Sequence, residues 1–289
     1  MKKTIGLLML GFLFFTFQIG YSAARVNEDN PIEKTVLEFM ERCMNNFEVE
    51  AVKRCFHPDF IGLSMEDDTI NTATRSRFID YVTRMKNREH EGRKTKRAKM
   101  TAKILSSSIV KEIGLVEFET YRGNELLGTD FIVLLKSEGV WKFVRSVTLY
   151  HSQEEKIDPE SEKEKIKKVI TESLVYAAGN YWDLEKWKKG FHPEFTGLTL
   201  AGTRLEKDTY SDWEKVIGAM EIKEPEGHKV LIIERIPRID VLGHMGIAQV
   251  KIYNGTNLSE TTYILLIKFS DGWKVVSKVG LNHNYNGNN

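Results

Sequence analysis

The chain repeats itself. The stretch "FHPDFIGL" (56–63) returns as "FHPEFTGL" (191–198), so that Phe56, His57, Pro58, Phe60, Gly62 and Leu63 recur as Phe191, His192, Pro193, Phe195, Gly197 and Leu198. At the same offset of 135, Phe47 answers to Trp182, Glu48 to Asp183, Thr74 to Thr209 and Phe78 to Trp213. Further along the offset becomes 132: "FIVLLK" (131–136) matches "YILLIK" (263–268), and Trp141-Lys142 matches Trp273-Lys274. One three-residue deletion accounts for both offsets. A period near 130 is far longer than a solenoid unit, so the repeat reads as a duplicated domain. The 289 residues are long enough for two such domains. Copy one is read as 25–150 and copy two as 166–289, separated by a charged linker, "HSQEEKIDPESEKEK" (151–165), that carries Pro159.

Residues 1–24 stand outside the repeat. Lys2 and Lys3 precede an apolar run from Ile5 to Phe17, and Ser22-Ala23-Ala24 supplies the small residues of a cleavage site. This is the pattern of a Sec signal peptide, with Arg25 as the first mature residue and a periplasmic or secreted product. The run is too short to cross a bilayer as a helix, and no Cys follows it, so no membrane anchor is expected.

Each copy shows the same order of periodicities. Ile32, Val36, Leu37, Phe39 and Met40 form a helical stripe, echoed by Ile166, Val169, Ile170, Leu174 and Val175. A short second helix runs into Phe-His-Pro, where the proline ends it and leaves the histidine at the helix terminus. Thr74 or Asp208 caps a third helix. The period then changes to two, with turn signals at Arg122-Gly123-Asn124, Glu138-Gly139, Asn254-Gly255 and Asp271-Gly272. Three helices followed by an antiparallel meander make an α+β domain.

That order, together with Tyr176, Gly179, Asp183, "FHPEF" and "DGWKVVSKV" in copy two, resembles the nuclear transport factor 2-like superfamily, and within it the lumazine-binding and SnoaL-like groups. Copy one keeps "FHPDF" and "VWKFVRSV" but has Glu41, Met44 and Glu48 where copy two has Tyr176, Gly179 and Asp183. The resemblance implies two tandem cone-shaped domains, each with three N-terminal helices packed on a curved, mostly antiparallel sheet. It implies that the two copies pair through their exposed sheet faces. Function does not follow from it, because the scaffold serves isomerases, dehydratases and cyclases as well as members without known activity.

Two function classes follow. The preferred one is a noncatalytic exported module that binds a small apolar or aromatic molecule or pairs with partners. The alternative is an acid–base enzyme of the isomerase, dehydratase or cyclase kind acting in copy two, where Tyr176, Asp183, His192 and His283 are the polar residues to nominate. His151 and His283 close the last strands at matching positions, but Glu117 and Glu119 of copy one face Gln249 and Lys251 in copy two, so no acid is shared there. The pocket is expected in copy two, since Met44 fills copy one where Gly179 leaves room.

No cofactor or metal is expected, because metal-ligand spacings and Gly-rich phosphate loops are absent. Lys plus Arg (42) balances Asp plus Glu (41), which gives no field for nucleic acid. The basic run at 84–99 reads as a solvated loop and edge strand. Cys43 and Cys55 correspond to Ala178 and Gly190, small residues at both places, and form a candidate disulfide in an oxidising compartment.

Overall fold

The computed structural model describes residues 29–66, 69–90, 98–151, 158–227 and 231–284. The signal peptide read at 1–24 and the linker positions 152–157 lie outside the described residues, as do 91–97 of the basic run.

Copy one opens with α1 (Pro31–Glu38), whose N-cap Asn30 accepts from the Ile32 N–H while Pro31 occupies the first turn. The chain then widens into a π-helical segment, Phe39–Asn45, and continues through α2 (Val49–Cys55), strands β1 (Phe56–Glu66) and β2 (Thr69–Thr74), and α3 (Arg75–His90). Four long strands follow: β3 (Met100–Val110), β4 (Ile113–Arg122), β5 (Glu125–Ser137) and β6 (Val140–Tyr150). Copy two repeats the order as α4 (Pro159–Val169), a π-helical segment Ile170–Tyr181, α5 (Leu184–Gly190), β7 (Phe191–Ala201), β8 (Arg204–Thr209), α6 (Tyr210–Lys223), β9 (Ile232–Leu242), β10 (Met245–Asn254), β11 (Asn257–Phe269) and β12 (Gly272–Asn282). Helix α4 starts inside the stretch read as linker, because Asp158 caps it and Pro159 suits its first turn.

Each sheet has six strands, in the orders β2-β1-β6-β5-β4-β3 and β8-β7-β12-β11-β10-β9. Only β1–β6 and β7–β12 are parallel. The fold is α+β with two tandem domains, as the periodicities require. Strand β3, which follows the basic run, is an edge strand.

Phe-His-Pro does something other than end a helix. In both copies it opens a strand: α2 stops at Cys55 and α5 at Gly190, and His57 and His192 are the second residues of β1 and β7. His57 Nδ1 accepts from the Asp59 N–H at 3.2 Å, and His192 Nδ1 accepts from the Glu194 N–H at the same distance. The imidazole thus closes a local turn around the proline, where the pairing of β1 with β6 shifts register between Phe56 and Ile61. Burial lowers the proton affinity of both histidines, which keeps Nδ1 free to accept. Phe56, Phe60, Phe191 and Phe195 go into the cores.

One face of each sheet packs on its own helices, and the other packs on the other copy. Leu63, Leu115, Phe131, Val133, Val147 and Leu149 share a buried cluster with Leu198, Ile247, Tyr263, Leu265, Val279 and Leu281. Two hydrogen bonds join positions that correspond across the repeat: Arg145 Nε donates to Ser277 Oγ at 2.9 Å, and Arg238 donates to Ser106 Oγ at 2.7 Å. Corresponding positions meet where a local twofold axis passes between the copies. At each such point one copy supplies arginine and the other serine.

Candidate functional site

Between helices and sheet, copy one has a partly open cavity of about 210 Å³. Its walls are mainly apolar and aromatic, with Phe39, Phe56, Phe60, Phe78, Phe118 and Met44, the last at the place of Gly179, and Thr120, Ser146, Thr148 and Tyr150 add hydroxyls. The alternation of the sheet decides what reaches it. On β5, Ile132 and Leu134 face the helices while Phe131, Val133 and Leu135 face copy two, which puts Asp130 on the cavity side.

Asp130 is the cavity's one carboxyl among its described lining residues. Thr120 Oγ1 donates to its Oδ2 at 3.1 Å, and Thr148 Oγ1 donates to its Oδ1. Burial raises its proton affinity and the two hydroxyls only partly offset this, leaving a pKa of about 6. The carboxyl is half-buried and keeps surface on the cavity. Tyr150, also in the lining, has its phenol pushed up first by burial and then by Asp130.

A carboxyl raised from 3.8 to about 6 on folding favours the folded state below pH 3.8, and that contribution fades as pH rises through 6. Asp130→Asn is therefore expected to stabilise the protein at pH 7.5 by about 2 kcal/mol relative to its effect at pH 4. Urea titrations at the two pH values check this. Equal effects at both would show that the carboxyl is not desolvated.

Copy two has a cavity at the corresponding place, of about 340 Å³. Leu174, Val175, Gly179 and Trp213 stand where copy one has Phe39, Met40, Met44 and Phe78. The expectation of a pocket in copy two holds for the larger volume and fails as an exclusive assignment. Met44 lines the copy-one cavity rather than filling it.

The four nominated residues do not converge. Tyr176 is 45% exposed and rests against Tyr181 and below Lys186. Asp183 caps α5 by accepting from the Lys186 N–H at 2.8 Å. His192 stacks on Phe269 in a shallow groove on the outside. His283 bridges Thr261 Oγ1 and, across the copy boundary, Lys111 Nζ; its twin His151 bonds Thr129 in the same way. None of the four lines the copy-two cavity.

Glu117 and Glu119 lie on the opposite face of β4 from Phe118 and Thr120. Glu117 takes a bond from Ser106 and pairs with Arg238 across the boundary, while Glu119 pairs with Lys103. Cys43 and Cys55 are free, buried thiols, not a bridge. The Cys43 thiol is pushed above its ordinary range by its hydrogen bond with Cys55 and by burial. No cluster of metal-ligating side chains occurs among the described residues, and no helix among them is long and apolar enough to cross a membrane.

Comparison with known proteins bears on the fold. The family described as "Putative lumazine-binding" matches residues 27–150 and again 161–279. The chain belongs to this family, in two copies. Solved structures similar to it include an NTF2-like protein of unknown function from Methylobacillus flagellatus, at 23% identity over 44% of this chain and 96% of that one with a TM-score of 0.35. Another, from Shewanella baltica, is 18% identical over 44% and 98%, with a TM-score of 0.36. A search of curated proteins finds no match.

Asp130 escaped the sequence reading because copy two has Thr262 at its place, and a search for shared acids passes over it. A signal was present: in "GTDFIVLLK" it is an acid directly before the apolar run 131–135, with the parity of the inward residues Ile132 and Leu134.

Proposed function

We propose that the protein is an exported, noncatalytic carrier or sensor of a small apolar or aromatic molecule, held in the cone of copy one. The observation that carries this reading is Asp130. A carboxyl whose two oxygens are each oriented by one threonine, in a cavity lined mainly by aromatic and aliphatic side chains, is the one carboxyl anchor in a largely apolar container. It suits a ligand with an apolar body and one O–H or N–H donor. The family's description points to a heteroaromatic of that kind. Export rests on Lys2-Lys3, the apolar run Ile5–Phe17 and Ser22-Ala23-Ala24.

A proton affinity near 6 also suits a general base, which favours acid–base catalysis as the second reading. That chemistry needs a further group to stabilise developing charge. Thr120 and Thr148 already donate to Asp130, which leaves Ser146 and Tyr150 as the lining hydroxyls that this second reading would have to use.

Native mass spectrometry of protein recovered from its own compartment tests the proposal. The expected result is a polypeptide beginning at Arg25 that carries a small molecule, lost in Asp130→Leu and replaced by added lumazine in the unaltered protein. Recovery of intact 1–289, or of a ligand indifferent to Asp130→Leu, would count against it. Incubation of the complex in deuterated water separates the two readings: a binder returns its ligand without carbon-bound deuterium, and an acid–base enzyme returns it labelled.

A further inference from the structure

The duplication supplies its own control for the copy-two cavity. At Gly128 of copy one, copy two has Glu260; at Ser146 it has Lys278; at Ala73 it has Asp208. Copy one builds the same sheet with no charge at any of these places, so the fold does not require them. In copy two they form a set. Lys278, only 5% exposed, pairs with Glu260 at 3.1 Å, and both line the cavity.

A glycine makes the arrangement fit, where copy one has Thr148. A side chain at Gly280 would place its Cβ 2.2 Å from Glu260 Oε1, so the absence of one lets the carboxylate lie over the sheet. Lys278 and Asp208 lie in one row across β12, β7 and β8 with Gly197 between them, at a place where copy one also has a glycine, Gly62. The Lys278 ammonium lies 5.5 Å from the centre of the Trp213 ring. Trp182, held at φ 54°, brings a second indole to the lining. The remaining wall is apolar, with Leu174, Val175, Ala178, Ile232 and Ile252, apart from Ser259, whose hydroxyl donates to the Ile252 carbonyl.

We propose that the copy-two cavity is a second binding site, selective for an uncharged planar molecule that carries a hydrogen-bond donor and acceptor side by side, an amide-type edge. Lys278 donates to the acceptor and Glu260 accepts from the donor. Both bonds are charge-assisted, which makes them stronger than neutral ones. A zwitterion would also match the pair, but it would bring two more charges into an apolar chamber and lose their hydration. The indoles and aliphatic walls take the planar body. Copy one, with one carboxyl and no cation, offers only acceptors from Asp130. The two cones thus select different chemistry, and the second site stands whether or not copy one carries a ligand.

Isothermal titration of the full chain with quinolin-2(1H)-one, an uncharged bicycle with a lactam edge, against naphthalene as its edge-free counterpart tests this. Quinolinone is expected to bind saturably and more tightly than naphthalene. Its affinity is expected to fall at least about tenfold in the double variant Glu260→Gly/Lys278→Ser, which installs the copy-one residues. Because the quinolinone N–H also suits the copy-one anchor, the titrations are run on the Asp130→Leu chain, in which that anchor is removed. Should the double variant fail to fold, Glu260→Gln keeps the shape and is expected to weaken quinolinone by at least about threefold. No saturable binding, equal affinity for naphthalene, or indifference to Glu260 and Lys278 would each overturn the proposal.

Discussion

Ser277→Arg is expected to cost more than about 4 kcal/mol and to separate the two copies. Ser277 is fully buried, donates to the Thr196 carbonyl at 2.7 Å and accepts from Arg145 Nε at 2.9 Å. The rest of the Arg145 guanidinium is committed to the carbonyls of Asp59 (2.8 Å) and Val144 (2.7 Å) and to Thr196 Oγ1. Burial already lowers the pKa of Arg145 to about 10, with Asp59 opposing the shift. A second guanidinium at the same point finds no free acceptor. Two like charges about 4 Å apart repel by roughly 4 kcal/mol at the effective dielectric of a protein, before any desolvation. Urea unfolding followed by tryptophan fluorescence should show an earlier midpoint and loss of a single cooperative transition. The exchange variant Arg145→Ser/Ser277→Arg should recover most of the loss, because it keeps one arginine and one serine at the axis. A cost below about 1 kcal/mol, or an exchange no better than the single change, would show that the boundary tolerates both charges.

The same reasoning explains why the copies are not interchangeable. A pair of copy one alone would bring Arg145 against Arg145, and a pair of copy two alone would bring Arg238 against Arg238. Duplication removes both clashes by placing serine opposite each arginine. The apolar cluster supplies the contact area, and the two arginine–serine pairs specify which partner fills it.

The repeat made the fold legible because it records two independent solutions of one packing problem. Inward phenylalanines, Gly62 with Gly197, and Trp141 with Trp273 recur where the cone leaves no choice. Function was hidden by that same comparison. Looking for what the copies share finds His57 and His192, which close a turn, and His151 and His283, which tie strand ends to threonine. The cavity chemistry sits where the copies differ: Asp130 against Thr262, Gly128 against Glu260, Ser146 against Lys278. Those substitutions look like drift in a sequence. Only the strand register shows that they face the cavities between helices and sheet.

The other large effect is expected at Trp273. It is 4% exposed, it packs near Gly246, where a Cβ would lie 3.3 Å from the indole, and it belongs to the copy-two core with Ile166 and Ala248. Trp273→Ala should cost about 3 to 5 kcal/mol through lost burial and an incompletely collapsed void. The indole also has a polar task, since its Nε1 donates to Glu162, which is itself buried and held by Lys165 at 2.8 Å and Lys268 at 3.1 Å. Burial alone would raise the Glu162 pKa, but the bonds from Lys165, Trp273 and Lys268 outweigh it and hold the carboxyl at about 2. A carboxyl depressed on folding adds stability above its free pKa near 4.5, and that contribution is lost as pH falls towards 2. Trp273→Phe keeps most of the packing and removes the donor, so it should cost only about 1 to 2 kcal/mol at pH 7. Its acid unfolding should begin at higher pH than that of the unaltered protein. Should Trp273→Ala cost less than about 1 kcal/mol by denaturant titration, the residue is not core; should Trp273→Phe leave the acid limb in place, the bond to Glu162 contributes nothing to folding.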